Sequence, residues 1–185
     1  MTGSLTLWIS LALVLFWSVG LYNRLMRMRA RGLGALGSVE RHMHHYLELV
    51  LEQGLTIDAP SDPAEGLVAK QMPAHWAHLL ADVQSLEQSL KEAVATPLTA
   101  EPLARLGEAF ARLQDTWHDL HETPSDLAGP VVPVAMQARW DAITQRVESA
   151  RGGFNQILTK YNEALGQFPA RLVVGMMGFK PGGLL

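Results

Sequence analysis

"MQARWDAITQRVESARGGFNQILTKYNEALGQF", residues 136–168, places apolar or aromatic side chains at Met136, Trp140, Ile143, Val147, Ala150, Phe154, Ile157, Tyr161, Ala164 and Phe168. The steps between them alternate four and three without a miss. Such a 3.5-residue period lines one stripe of a helix, whereas a half-buried strand needs a period of two. Pro169 follows and closes the run.

The same stepping recurs three times upstream: Leu36, Val39, Met43, Tyr46, Val50; Met72, Trp76, Leu79, Val83, Leu86, Leu90; and Leu103, Leu106, Phe110, Leu113, Trp117, Leu120. No alternating strand pattern of useful length interrupts them. Four stripes with one period predict an all-α fold, an antiparallel four-helix bundle packed as in coiled coils. Turn chemistry separates the stripes at "GLTIDAPSDPAEG" (54–66), "TPLTAEP" (96–102) and "TPSDLAGPVVP" (123–133). Pro73 and Pro102 suit first turns, and Thr99 suits a helix cap.

The first stripe is preceded by a different kind of segment. "LTLWISLALVLFWSVGLY", residues 5–22, is apolar except for Thr6, Ser10, Ser18 and Gly20, and residues 1–23 carry no charged side chain. As a helix it rises about 27 Å, near the hydrocarbon thickness of about 30 Å. Trp8 near one end and Trp17 and Tyr22 near the other suit interfacial anchors. A cleaved signal peptide would want a positive leading region, although "SVG" before Leu21 resembles a weak cleavage site. A buried core helix would show a polar face, and this one has none. A single-pass anchor fits best.

Arg24, Arg27, Arg29 and Arg31 follow at once, placed to meet anionic lipid headgroups. By the positive-inside tendency they put the N-terminus outside and the remainder in the cytoplasm, at the inner (cytoplasmic) membrane. Nothing breaks the helix between the span and about Gln53, so the anchor and first bundle helix are expected to form one rod. Glycines 32, 34 and 37 mark where it would bend. The chain thus divides into an anchor (1–23), a bundle (24–169) and an apolar, glycine-rich tail (170–185). In an up-down-up-down bundle the fourth helix returns to the membrane. "RLVVGMMGFKPGGLL" (171–185) is therefore expected beside the bilayer, capping the bundle end or touching lipid.

Composition bounds the chemistry. The chain has 185 residues, a net charge of -3, a pI of about 6.1 and a mean hydropathy of +0.08. No global basic field points to nucleic acid. The absence of cysteine removes disulfides, thiolate nucleophiles and Cys-ligated zinc. There is no G-x-S-x-G elbow, and the glycines of "RGLGALG" (31–37) follow arginines in a helix rather than a strand. No enzymatic activity and no cofactor are expected.

Seven histidines are the remaining chemistry. His42, His44 and His45 cluster in "RHMHHY", while His75/His78 and His118/His121 are i, i+3 pairs that share a helix face. Two such pairs on facing helices would form a metal site, joined by Asp115, Asp119 or Glu122. These histidines flank the stripes rather than occupy them, and no Glu-x-x-His of the bundle-metal type is present. Partly exposed histidines are the plainer reading, with a metal-binding or metal-sensing bundle the alternative.

Aromatic-Asn couplets occur three times, at Tyr22-Asn23, Phe154-Asn155 and Tyr161-Asn162. The last two are seven residues apart, with Arg151 three residues before the first and Phe168-Pro169 and Gly178-Phe179 beyond the second. This constellation resembles the C-terminal motif of the LemA family. Tyr22, Asn23, Leu25, Ala35, Val39, Glu40, Leu47, Leu49 and Val50 resemble the family's N-terminal segment. "HHYLELV" (44–50) departs from that segment in lacking its Pro-Asn, and residues 54–135 correspond poorly apart from "FARLQD" (110–115). The resemblance implies a single membrane-spanning helix joined to an antiparallel bundle and implies no settled activity. By spacing alone Asn155 and Asn162 read as surface amides beside core aromatics; the resemblance makes them candidates for fixing the pairing of the first and fourth helices. The whole reads as a membrane-anchored scaffold or interaction module, with an unidentified protein partner or a second copy of itself.

Overall fold

A computed structural model describes residues 2–57, 72–122, 132–168, 170–175 and 177–185. Five helices lie among them: α1 (Thr2–Ile57), α2 (Met72–Ala95), α3 (Ala100–Glu122), α4 (Val134–Gly166) and the short α5 (Ala170–Val174). No strand occurs among the described residues. The fold is an all-α bundle with a long apolar N-terminal helix.

α1 is one uninterrupted helix of 56 residues, about 84 Å at 1.5 Å per residue. It continues helically through the three glycines and to Ile57, so residues 54–57 are helix rather than loop. Most of the expected 54–66 loop, and all of 123–131 in the third, lies outside the described residues.

α1 packs chiefly against α4, and α2 against α3, with α1 also touching α2. Cross-links fix the α1–α4 pair as antiparallel. Glu52 meets Arg139 at 2.7 Å, Tyr46 meets Thr144 at 2.8 Å, and Gly32 lies against Leu158. α2 and α3 form a second antiparallel pair. Thr116 donates to Asp82 at 2.6 Å, Arg112 donates to Ser85 at 3.3 Å, and Arg105 meets Glu92 at 3.2 Å.

The stripes become the core. Every predicted position of the first and third is buried, as are Leu79, Val83, Leu86 and Leu90 of the second. The fourth drifts. Met136, Trp140, Ile143, Val147, Phe154, Tyr161 and Ala164 are buried, but Leu158 and Leu165 join them while Ala150 and Ile157 are only half-buried. An ideal helix turns every 3.6 residues, so a strict 3.5 stripe slides round its surface over this length. Phe168 falls beyond the end of α4 and is 83% exposed.

Mid-bundle, α1, α3 and α4 share a closed hydrogen-bond ring. Gln114 Nε2 donates to the Tyr46 hydroxyl at 2.9 Å, and Tyr46 in turn pairs with Thr144 Oγ1. Thr144 donates to the Trp140 carbonyl at 3.0 Å, and Trp140 Nε1 donates to Gln114 Oε1 at 3.4 Å. Thr144 spends its proton on that carbonyl, so Tyr46 must be its donor. Burial pushes the Tyr46 phenol up to about 12, against the pull of its two hydrogen bonds.

A raised phenol pKa means that the folded state disfavours phenolate. Tyr46's contribution is whole below the ordinary tyrosine value of about 10 and fades as pH rises toward about 12. Tyr46→Phe should cost about 1–3 kcal/mol near neutrality, because Gln114 and Thr144 lose a partner. Urea denaturation of both forms at neutral pH and again well above pH 10 should show the gap narrowing. A gap of constant size would show that the phenol's ionisation is not linked to folding.

Candidate functional site

Beyond α5 the chain reverses and runs back along α4, and here the motif residues converge. Gly178 takes a positive φ of 70°, a backbone geometry that glycine adopts without penalty. Phe179 then buries its ring against Tyr22 of α1, 5.7 Å between centroids. Val174 is buried and Met177 half-buried against the core. The described apolar part of the tail therefore caps the bundle. Met176 and the side chains of Leu172 and Val173 lie outside the described residues.

Each motif amide grips one tail residue by both its backbone groups. Asn162 Nδ2 donates to the Gly182 carbonyl at 2.8 Å and its Oδ1 accepts the Gly182 N–H at 2.8 Å. Asn155 does the same for Leu185, at 2.6 and 2.8 Å. A carboxamide presents acceptor and donor side by side, as an adjacent strand would, so the pair substitutes for two rungs of a ladder. Between the couplets' aromatics, the Tyr161 hydroxyl donates to the Lys180 carbonyl at 3.2 Å. Burial raises the Tyr161 phenol pKa, with Arg29 pulling it back. Arg151 Nε donates to the Leu185 main-chain oxygen at 2.9 Å, while its guanidinium lies 5.9 Å from the Phe110 ring centre.

The other side of the tail meets the α2–α3 turn. Gly183 N–H donates to the Leu98 carbonyl at 2.9 Å. Leu98 holds a φ of 67°, a left-handed conformation that costs a side-chain-bearing residue about 1–2 kcal/mol. Its side chain is buried, and its carbonyl is delivered to the tail. A Cβ on Gly182 would collide with Leu158, and one on Gly183 with the Ala100 backbone. The pair Gly182-Gly183 is thus set by close approach on both sides.

These contacts give the amides a different partner from the helix pairing that the resemblance suggested. Asn155 and Asn162 hold the tail, and the α1–α4 pairing rests instead on apolar packing, the Tyr46 ring and Glu52–Arg139. Of the first couplet, Tyr22 reaches the tail through its ring while Asn23 is exposed. Phe154 is core. Pro169 lies outside the described residues. The roles of Gly182, Gly183 and Leu98 were missed, because their signal is a glycine pair and a turn leucine without periodicity.

The described histidines do not converge on one site. No group of three His, Asp or Glu able to hold a metal occurs among the described residues. His78, His118 and His121 are exposed, His118 pairs with Glu122 at 3.2 Å, and the side chain of His75 lies outside the described residues. His45 pairs with Glu48 at 2.9 Å. The pKa of His42, whose Nδ1 is buried without a partner, is lowered chiefly by burial, with His45, Arg146 and Arg41 adding to it. Arg24, Arg27, Arg29 and Arg31 are all exposed.

A sequence model of the LemA family matches residues 67–185, which take in α2 to α5, the asparagine clasp and the tail. The chain belongs to the LemA family. The LemA match runs through α2 and α3, where residue-by-residue resemblance was weakest, and stops short of α1. Comparison with curated proteins and with solved structures returns no match.

Proposed function

We propose that this LemA-family chain is a single-pass membrane protein whose bundle serves as a non-enzymatic scaffold or interaction module. The observation that carries the reading is the surface of early α1. Thr6–Gln53 contains an 18-residue window of mean hydropathy 1.5, long and apolar enough to cross a membrane, of which 6% is buried within the protein. Leu13, Leu15 and Phe16 face outward there. Left in water, a patch of that size would drive association, whereas lipid covers it without cost.

The exposed arginines at 24–31 support an anionic leaflet next to the span and, by the positive-inside tendency, a bundle in the cytoplasm with the N-terminus outside. The clasp supports a structural role, since its amides, hydroxyl and guanidinium are spent on backbone groups of the same chain. An unidentified protein, or a second copy, is the partner this reading requires, rather than nucleic acid.

Membranes washed with high salt or carbonate should retain the protein, and detergent should release it. Release by carbonate alone would overturn the anchor. In intact cells an external protease should leave the C-terminus uncut, and cutting it only after the cells are opened is the expected result. Cleavage in intact cells would place the bundle outside.

A further inference from the structure

Where α4 ends, its elbow into α5 lies beside the apolar part of α1 rather than below it. The two enclose a cleft of about 530 Å³, with Leu13, Phe16 and Gly20 on one wall and Ala164 and Phe168 on the other. Arg24 supplies the positive charge in its lining. Phe16 and Leu13 precede Arg24 by 8 and 11 residues, about 12 and 16 Å along a helix. The cleft therefore has one charged level and an apolar reach extending away from it. Phe168 and Phe16, 83% and 82% exposed, stand beside that reach, which is continuous with the outward apolar surface of residues 7–19.

Resting on the membrane reading above, we propose that this cleft seats one acyl chain of a phospholipid whose phosphate lies against the Arg24 guanidinium, with Phe168 in lipid rather than water. A guanidinium matches a phosphate with paired donors, and apart from Gln167 the rest of the lining is apolar. A protein partner would need no such gradient from charge to hydrocarbon. The α4–α5 elbow then becomes a second lipid contact of the fold, separate from the span.

Gly20 offers the test, because a Cβ built there has nothing within 4 Å. Gly20→Phe adds a ring at a position that lines the cleft, where the first added carbon meets nothing. The full-length protein, extracted in mild detergent from vesicles mixing phosphatidylcholine and phosphatidylglycerol, should retain a phospholipid in native mass spectrometry. Phosphatidylglycerol should be enriched about fivefold, the scale of one basic residue at an anionic surface. Arg24→Gln should lose most of that enrichment, and Gly20→Phe should lose the lipid several-fold. Equal retention by Gly20→Phe, or a lipid-free dimer in its place, overturns the inference.

The chain has no cysteine, so single nitroxide labels separate this outcome from failure of the span. At Leu11→Cys and Phe168→Cys both labels should collide with oxygen more than with an aqueous nickel complex. An aqueous label at 168 with a lipid-exposed label at 11 sinks the cleft and leaves the span standing. Aqueous labels at both sink both.

Discussion

Asn162→Ala should detach residues 180–185 from the face of α4 and lower stability by about 2–4 kcal/mol. The amide makes two bonds of 2.8 Å to one buried residue, Gly182. Removing it orphans an N–H and a C=O together, each costing about 1–3 kcal/mol if it stays buried. The total is capped, because the tail can lift off and let water satisfy both groups. Lifting off is itself the readout. Hydrogen exchange at the Gly182 and Leu185 amides should rise toward that of an open loop, and the urea midpoint should fall. Asn155→Ala should act alike, and the double variant should lose less than the sum, since the two rungs hold one short segment. Unchanged protection at Gly182 would show that packing of Phe179 alone retains the tail.

Trp140→Ala should be the most damaging single change in the bundle, at about 3–5 kcal/mol. Trp140 is 1% exposed and stacks on Trp117 with ring centres 3.9 Å apart and planes 6° from parallel. Tyr46 approaches it at 4.6 Å, so α1, α3 and α4 meet on one indole. Truncation leaves a cavity at that junction and opens the hydrogen-bond ring at Gln114. Domains of this size are stable by about 5–15 kcal/mol, and a loss of this scale threatens folding at physiological temperature. Thermal unfolding followed by near-ultraviolet circular dichroism measures both the stability and the lost stack. Trp140→Phe separates them, keeping most of the volume while losing the indole N–H. A shift of only a degree or two for Trp140→Ala would mean that the site collapses around the void.

The all-α class and most of the core were legible because each of four helices carries its own apolar period, and a period is a local property. Leu36 to Val50 and Leu103 to Leu120 needed nothing else. The asparagines were legible as a pattern and misread as a contact. With the family resemblance beside it the seven-residue spacing reads as a coiled-coil device between helices, and nothing in 154–162 says that its partner is non-helical chain twenty to thirty residues on. The left-handed turn at Leu98 was invisible for another reason. A leucine signals core, and only the carbonyl it offers to Gly183 explains its backbone. The end of the fourth stripe failed at Phe168 because helical phase was carried past the last helical residue, Gly166.

Two turns of α4 separate Asn155 from Asn162, about 10.5 Å along the axis. Gly182 and Leu185 are three residues apart, about 10 Å in extended chain. The two lengths agree to within half an ångström, so helix and tail work as the two scales of a vernier that coincide at two marks. Moving either scale by a single residue shifts a mark by 1.5 or 3.3 Å, beyond the tolerance of a hydrogen bond. The seven-residue repeat in this chain is therefore a ruler cut to its own tail.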